Sequence, residues 1–162
     1  MDVNTYYKNF TDWGLKRQII QHSNPKTQWL KLMSEYGELC DNLAKGRDCK
    51  DDIGDMAVVC HMIGGMKDGI SQHPLTHTYA TLDIAISELH DLLGIVHRRI
   101  LQDLNVRLHL ADVLITLAAI ARLQGYEYTD CLDAAWSDIK DRKGHLSAEG
   151  IFIKEGDTGV AA

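Results

Sequence analysis

Two pairs of carboxylates at helical spacing are the residues best suited to chemistry in this 162-residue sequence. Glu35 and Glu38 form one pair, and Asp52 and Asp55 form the other. Residues three apart on a helix lie on one face, with Cβ atoms about 5–6 Å apart. Because the connection near Gly46 is short, the two helices should be neighbours, and all four acids could face one cleft.

Four carboxylates in a partly buried cleft would repel each other, and some would take up protons unless a cation compensated their charge. Mg²⁺ is the natural choice, because it prefers oxygen ligands and keeps waters that a phosphate can replace. No His or Cys lies among the four acids, which argues against zinc or copper. The pattern therefore predicts a Mg²⁺ site, in which Mn²⁺ could substitute.

The alternative interpretation is that these acids form an ordinary solvated helix face. Two details favour a site. Gly37 and Gly54 interrupt the two motifs, although each costs a helix about 1 kcal/mol relative to alanine, and a glycine there could admit a close helix or a ligand. Asp52 and Asp55 also border Met56–Cys60, the most apolar stretch of the chain and a poor place for idle acids.

The rest of the sequence predicts an all-α fold, a bundle of five to six helices around a four-helix core, with a short β-hairpin-like tail. Pro25 suits the first turn of a helix, and Gly46 is a natural helix stop. We expect one domain over residues 1–155 and a flexible tail over 156–162. The predicted helices are 4–22, 26–45, 49–66, 78–101, 107–124 and 129–143, with a hairpin within 146–154.

An internal repeat is suggested by two pairs of similar segments. Ser34–Leu39 resembles Ser87–Leu92 at an offset of 53 residues, and Asp52–Val58 resembles His109–Ile115 at an offset of 57. Chance similarity between helices is common, so duplication and coincidence both stay open. A true duplication would pack two helix pairs into a pseudo-symmetric four-helix core. The two copies would span residues 26–70 and 78–125.

The second copy keeps only some of the acids. Glu88, Asp91 and Asp112 could form a second metal site, but His109 stands in place of one acid. We therefore expect a degenerate, structural copy and one active metal cluster per chain.

Composition narrows the choice of partners and compartment. A net charge of −6 argues against binding nucleic acid through a broad basic face, while a bound metal could still attract a small phosphorylated ligand. No apolar run reaches the ~18 residues of a membrane helix, and no signal-peptide core is visible. The four cysteines form no C-x-x-C pair, so we expect reduced thiols in a soluble cytoplasmic protein.

The two acid pairs resemble the motif of the MazG family, the all-α nucleoside triphosphate pyrophosphohydrolases. That motif is E-x-x-E, a loop, then E-x-x-D, and here Asp52 conservatively replaces its third acid. The flanking segments 24–32, 135–144 and 150–155 also resemble MazG-like proteins, especially phage-encoded ones. The resemblance covers most of residues 11–66 and 110–157, whereas residues 67–109 look like additional material.

The resemblance implies hydrolysis of a nucleoside triphosphate to the monophosphate and pyrophosphate. It implies that Glu35, Glu38, Asp52 and Asp55 hold Mg²⁺, which would activate a water for attack on phosphorus. We choose Glu38 as the catalytic base. The expected location is the cytoplasm, that of the host if the protein is phage-encoded. Two alternatives stay open: a non-catalytic helical interaction module of MazG descent, and a phosphoribosyl-ATP pyrophosphohydrolase.

The resemblance also bears on assembly. Family members with a single motif build their helical bundle by dimerising, so a homo-oligomer is expected here. The additional segment could instead supply part of that bundle within one chain.

Four basic residues are candidates for phosphate binding. Lys31 precedes Glu35 by one helical turn, so it could bind phosphate or simply pair with that acid. Lys140, Arg142 and Lys143 form a basic cluster at the end of the last predicted helix, where positive charge also complements the helix dipole. The resemblance favours phosphate contact for this cluster.

Two tryptophans could contact a nucleobase. Trp29 lies close to the first acid pair, and Trp13 lies in the first predicted helix. Either ring could stack on a base, although tryptophans in amphipathic helices more often belong to the core. We include Trp29 among the candidate substrate-binding residues.

Overall fold

The computed structural model describes residues 1–157, which form seven helices and one antiparallel β-hairpin. This confirms the predicted all-α fold and its C-terminal hairpin. The predicted flexible tail lies mostly outside the described residues. The elements are α1 (Val3–Lys16), α2 (Ile19–His22), α3 (Pro25–Ala44), α4 (Lys50–Met66), α5 (Leu82–Leu101), α6 (Arg107–Leu123), α7 (Tyr128–Ile139), β1 (Gly144–Leu146) and β2 (Phe152–Lys154).

The prediction of one continuous helix over residues 4–22 is wrong. Gln18 takes a left-handed conformation, with φ of 61°, and this separates α1 from α2. The backbone N–H of Arg17 still donates to Trp13 O, so α1 closes normally before the break. Directly after the break, the side chain of Ile19 is buried in the core. Hydrophobic burial at Ile19 thus accompanies a backbone conformation that a glutamine rarely adopts.

Helix α4 is the centre of the molecule. Its side chains are buried at nearly every position from Asp52 to Gly64. Helices α1, α2, α3, α6 and α7 all pack against it. This burial explains why α4 lacks the amphipathic pattern of a surface helix.

Gly54 provides the close approach that α4 makes to α7. A Cβ atom at this position would lie 2.2 Å from the carbonyl oxygen of Cys131 and 2.7 Å from Ala135 Cβ. Gly37, in the first acid motif, has no such neighbour, because a Cβ there would meet nothing within 4 Å. The expectation that the motif glycines admit a close helix therefore holds for Gly54 alone.

Helices α3 and α4 form a first helix pair, and α5 and α6 form a second pair with the same dimensions. Helices α3 and α5 each contain 20 residues, and α4 and α6 each contain 17. Every end of the second pair lies 57 positions after the matching end of the first. The N-caps also correspond: Asn24 accepts from Thr27 N, and Thr81 accepts from Ile84 N.

The loops inside the two helix pairs repeat the same geometry. Gly46 has φ of 62°, and Asp103, its counterpart 57 positions later, has φ of 52°. Arg47 N donates to Asn42 O at 2.9 Å, and Leu104 N donates to Arg99 O at 2.8 Å. The shared loop geometry supports an internal duplication, which remains a prediction, in a single register of 57 residues.

This register changes which acids correspond. At an offset of 57, Glu35 pairs with Leu92 rather than with Glu88, and Glu88 pairs with Lys31. The sequence pairing at an offset of 53 is therefore displaced by one helical turn. The first and second helix pairs pack together through contacts of α4 with α6 and of α3 with α5.

Within residues 1–157, no single helix is both long and apolar enough to cross a membrane. Helices α6 and α7 reach that length and apolarity only when taken together, and they meet at a bend of 108°. The thiols of Cys40, Cys49, Cys60 and Cys131 are free in this structure.

Gly54 and Gly37 offer a matched test of the α4–α7 contact. Gly54→Ala should lower the free energy of unfolding by about 3 kcal/mol, because the new methyl group overlaps the backbone of Cys131. Gly37→Ala should raise it by about 0.5–1 kcal/mol, because alanine favours an open helix position. Urea unfolding of both variants measures this, and a neutral Gly54→Ala would contradict the packing.

Candidate metal centre

A cavity of about 350 Å³ lies between the first helix pair, the end of α7 and the β-hairpin. We call it the first cavity. Acidic, basic and apolar side chains all contribute to its wall. They are Trp13, Ile19, Gln28, Lys31, Glu35, Glu38, Asp55, Val58, Val59, Met62, Asp138, Ile139, Arg142, Ile151, Phe152, Lys154 and Asp157.

Three of the four predicted metal ligands line the first cavity. Glu35 is buried, Asp55 is partly buried and Glu38 is exposed. Asp52 is buried beside the cavity rather than on its wall, and its Oδ2 accepts a hydrogen bond of 2.8 Å from Asn42 Nδ2. The helical spacing therefore brings Glu35, Glu38 and Asp55 to one cavity, with Asp52 behind them.

Both burial and neighbouring negative charges raise the pKa values of the acids on α4. Burial raises the pKa of Asp55 to about 7, helped by the negative charges of Glu35 and Asp51 and partly opposed by Arg142 and Lys31. Burial also raises the pKa of Asp52, although the hydrogen bond from Asn42 opposes this, and Glu35 adds to the increase. These groups form an electrostatic cluster that gains from a bound cation.

Asp51 belongs to the same cluster, although the sequence motif does not include it. Burial and then the charges of Asp52 and Glu35 raise the pKa of Asp51. Arg142 and Lys154 act in the opposite direction. Glu35 thus raises the pKa of all three aspartates on the first turns of α4.

Basic side chains line the first cavity together with the acids. Lys31 forms an ion pair with Glu35, in which the lysine side chain is 47% exposed and the glutamate side chain only 5%. Arg142 pairs with Asp138 and lines the same cavity. The cavity therefore holds both the acids that suit a divalent cation and the cations that suit a phosphate.

The donor set fits Mg²⁺ in chemical type, because all four groups are carboxylates. In the described part of the chain, no three His, Cys, Asp or Glu side chains converge closely enough to hold a metal ion. Lys31 already pairs with the carboxylate of Glu35, and Asn42 already donates a hydrogen bond to the carboxylate of Asp52. A metal ion on Glu35 would therefore share that carboxylate with Lys31 or replace Lys31 as its partner.

The fold places only some of the predicted substrate-binding residues at the first cavity. Lys31 and Arg142 line the first cavity, whereas Trp29, Lys140 and Lys143 do not. Helix α7 ends at Ile139, so Lys140 and Lys143 lie beyond it with exposed side chains.

Trp29 packs against the second helix pair instead. Its ring stacks on His97 with centroids 3.7 Å apart, and its Nε1 donates to the carbonyl oxygen of Leu93 at 3.1 Å. The placement gives no support to a contact between Trp29 and a substrate.

Several residues on the cavity wall were not predicted as site residues. Gln28 lies one helical turn before Lys31, so its spacing from Glu35 could have identified it. Lys154 and Phe152 come from the returning strand of the β-hairpin. Their position depends on how that hairpin folds back, which no local pattern reveals.

A second cavity, of about 530 Å³, lies at the corresponding place in the second helix pair. Glu88, Leu92 and Asp112 line it, at the positions that match Lys31, Glu35 and Asp55. Asp91, by contrast, does not line the second cavity. The second cavity thus has an acid where the first has its lysine, and a leucine where the first has its buried glutamate.

The raised pKa of Asp55 predicts a specific pH dependence of stability in EDTA. Between the ordinary value of 3.8 and about 7, the folded chain holds a proton that the unfolded chain releases, so stability falls as pH rises through this window. The Asp55→Asn variant has no carboxyl group at this position, so this fall in stability is absent from it. It should raise the Tm by about 4 °C or more at pH 8 and by less than about 1 °C at pH 4.

Calorimetry across this pH range checks the expectation. Asp112→Asn, at the exposed matching position of α6, is the control and should show no such change. Equal pH profiles for wild type and Asp55→Asn would contradict the buried cluster.

No protein-family profile matches this sequence. The chain is similar to an uncharacterized 18.2 kDa protein in the rep-hol intergenic region of Haemophilus phage HP1 (strain HP1c1), with 42% identity over 60 residues. The match covers 36% of this chain and 37% of that protein. No solved structure matches the chain, so the resemblance to MazG proteins remains a prediction.

Proposed function

We propose that this protein is a Mg²⁺-dependent pyrophosphohydrolase that converts a nucleoside or deoxynucleoside triphosphate to the monophosphate and pyrophosphate. The observation that carries the proposal is the first cavity, which combines a carboxylate cluster, three basic side chains and an apolar end. Its volume of about 350 Å³ lies in the range of small-molecule sites.

The acids have distinct roles in this proposal. Glu35, Glu38 and Asp55 would hold Mg²⁺ from the cavity wall, with Asp52 supporting them from behind. The metal would neutralise phosphate charge and lower the pKa of a bound water. Asn42 holds the Asp52 carboxylate by its hydrogen bond, as outer partners of metal ligands do in known sites.

Glu38 is the proposed general base. It is exposed on the cavity wall and, within residues 1–157, takes part in no ion pair. Glu38 would thus have two roles in this proposal, because one of its oxygens would hold the metal and the other could accept a proton from the attacking water. Glu35 is less suited to this role, because it is buried and paired with Lys31.

The basic side chains would bind the triphosphate. Arg142 can hold phosphate oxygens with its planar guanidinium group, and Lys154 approaches from the β-hairpin. Lys31 becomes available to phosphate when Glu35 turns to the metal. The exchange of partners at Glu35 would thus couple metal binding to substrate binding.

The proposal also covers the location, partners and assembly of the protein. Similarity to a phage protein fits action in the cytoplasm of an infected host. Neither nucleic acid nor a membrane is required as a partner. We retain a homo-oligomer as the expected assembly, although the two helix pairs already form a four-helix core within one chain.

Replacing the proposed base tests this activity. Glu38→Gln should reduce Mg²⁺-dependent pyrophosphate release by about 100-fold or more, because general-base catalysis is lost. Glu88→Gln, an exposed glutamate on α5, is the control and should keep full activity. Full activity in Glu38→Gln would exclude the assigned role of that residue.

The substrate panel decides between the alternatives. It contains NTPs, dNTPs, guanosine tetraphosphate and phosphoribosyl-ATP, each with Mg²⁺ or Mn²⁺. Preference for phosphoribosyl-ATP would identify the related pyrophosphohydrolase. No release from any compound by folded protein would favour the non-catalytic interaction module.

A further inference from the structure

The first cavity has an apolar end that the metal and phosphate roles leave unused. Trp13 and Phe152 pack there with ring centroids 5.6 Å apart at an angle of 65°. Val58, Met62 and Ile139 continue the apolar wall. Such a surface suits a planar, uncharged group rather than a phosphate.

Trp13 carries an unusual polar group at this end. Its side chain belongs to a residue that is only 7% exposed, and its indole Nε1 is buried with no hydrogen-bond partner in the described part of the chain. Buried donors in native proteins nearly always have a partner. An unsatisfied donor beside a cavity therefore indicates an acceptor that a ligand would supply.

Trp29 shows how this chain satisfies an indole when no ligand is involved. Its Nε1 donates to the carbonyl oxygen of Leu93 at 3.1 Å. Trp13 has no such backbone acceptor, although it is more deeply buried than Trp29. The difference indicates that the donor of Trp13 is not required for the fold.

Gln28 adds a second polar group to the same cavity. It is 5% exposed, and its amide nitrogen donates to Ser23 Oγ at 3.0 Å. The amide oxygen is therefore the group that Gln28 has left for a ligand. The cavity wall therefore offers a donor from Trp13 and an acceptor from Gln28, the two kinds of group that a nucleobase edge can pair with.

We propose that the apolar end of the first cavity binds the nucleobase of the substrate, and that Trp13 Nε1 donates a hydrogen bond to an acceptor atom of that base. This inference rests on the proposed function for the identity of the ligand as a nucleotide. The role of Trp13 is recognition by its polar edge, because the buried ring has little free face for stacking. Its donor is closed to water in the free chain, so base binding must displace a neighbouring side chain.

Phe152 is the neighbour best placed to move. It contacts the Trp13 ring and belongs to the short β2 strand at the cavity wall. Displacement of Phe152 by a base would open the indole N–H and keep the apolar surroundings of the ring. Base recognition would then involve the β-hairpin as well as α1.

The test measures binding of α,β-imido nucleoside triphosphates, which cannot be cleaved at the relevant bond, in the presence of Mg²⁺. Trp13→Phe removes the donor and keeps an aromatic ring, and should raise the Kd by about 10-fold. Its affinity for inorganic tripolyphosphate, which has no base, should stay unchanged. Trp136→Phe, a tryptophan outside the cavity wall, should leave both affinities unchanged.

A second readout uses the wild-type chain and does not depend on whether Trp13→Phe folds. The indole ¹⁵N–¹H resonance of Trp13, assigned directly or by elimination with Trp29→Phe and Trp136→Phe, should shift downfield with the imido nucleotide. Tripolyphosphate should not shift it.

The outcomes separate this inference from the proposed hydrolysis. Unchanged nucleotide affinity in folded Trp13→Phe, an indole resonance that does not respond, or no nucleotide binding by wild type would overturn the inference. Binding that depends on Trp13, in a chain that hydrolyses no natural nucleotide, would support the inference and overturn the hydrolytic function.

Discussion

The burial of α4 is the constraint on which the rest of the structure depends. This helix is surrounded by α1, α2, α3, α6 and α7, and its apolar side chains form the middle of the core. The same helix carries Asp52 and Asp55 close to its start. Hydrophobic burial therefore holds two carboxylates where water is scarce, and their charge must be balanced by protons, by basic side chains or by a metal ion.

The balance of charge among these acids in the free chain depends on Glu35. Its charge raises the pKa of Asp51, Asp52 and Asp55, while Lys31 neutralises it directly. In the proposed function, a divalent cation would add to the charge balance that Lys31 provides in the free chain. In the proposed function, a metal site would form here because the core buries carboxylates whose mutual repulsion a bound cation would relieve.

The second helix pair shows the same arrangement of helices without a buried glutamate. It repeats the helix lengths, caps and loop geometry of the first pair. At the position of Glu35 it has Leu92, which is buried without any charge to balance. A helix pair of these dimensions therefore forms with either residue at this position, and the four acids are not needed to form the helices.

The sequence predicted most helices well, because their caps and stops are local features. Asn24 with Pro25 begins α3, and the turn at Gly46 ends it, close to the predicted bounds. The break at Gln18 was missed, because a left-handed glutamine has no local signature in the sequence. The sequence pairing of Ser34–Leu39 with Ser87–Leu92 differs by one helical turn from the offset of the helix ends, since acids spaced three apart recur easily on unrelated helix faces.

The candidate site was predictable only in part. Helical spacing was enough to bring Glu35, Glu38 and Asp55 together. It could not show that Trp29 faces α5 or that Lys140 lies beyond the end of α7, because both depend on tertiary packing. The contribution of Lys154 and Phe152 depends on the β-hairpin folding back over α3, where Thr27 Oγ1 donates to the carbonyl oxygen of Glu149.

The central claim is that the acids of α3 and α4 bind a divalent cation through Glu35. Titration of Mn²⁺, followed by the electron paramagnetic resonance of the free ion, tests it most directly. The account predicts that wild type and the Asp112→Asn control bind Mn²⁺ with the same affinity, and that Glu35→Gln weakens this binding by about 10-fold or more. Equal Mn²⁺ affinity in wild type and Glu35→Gln would contradict the account.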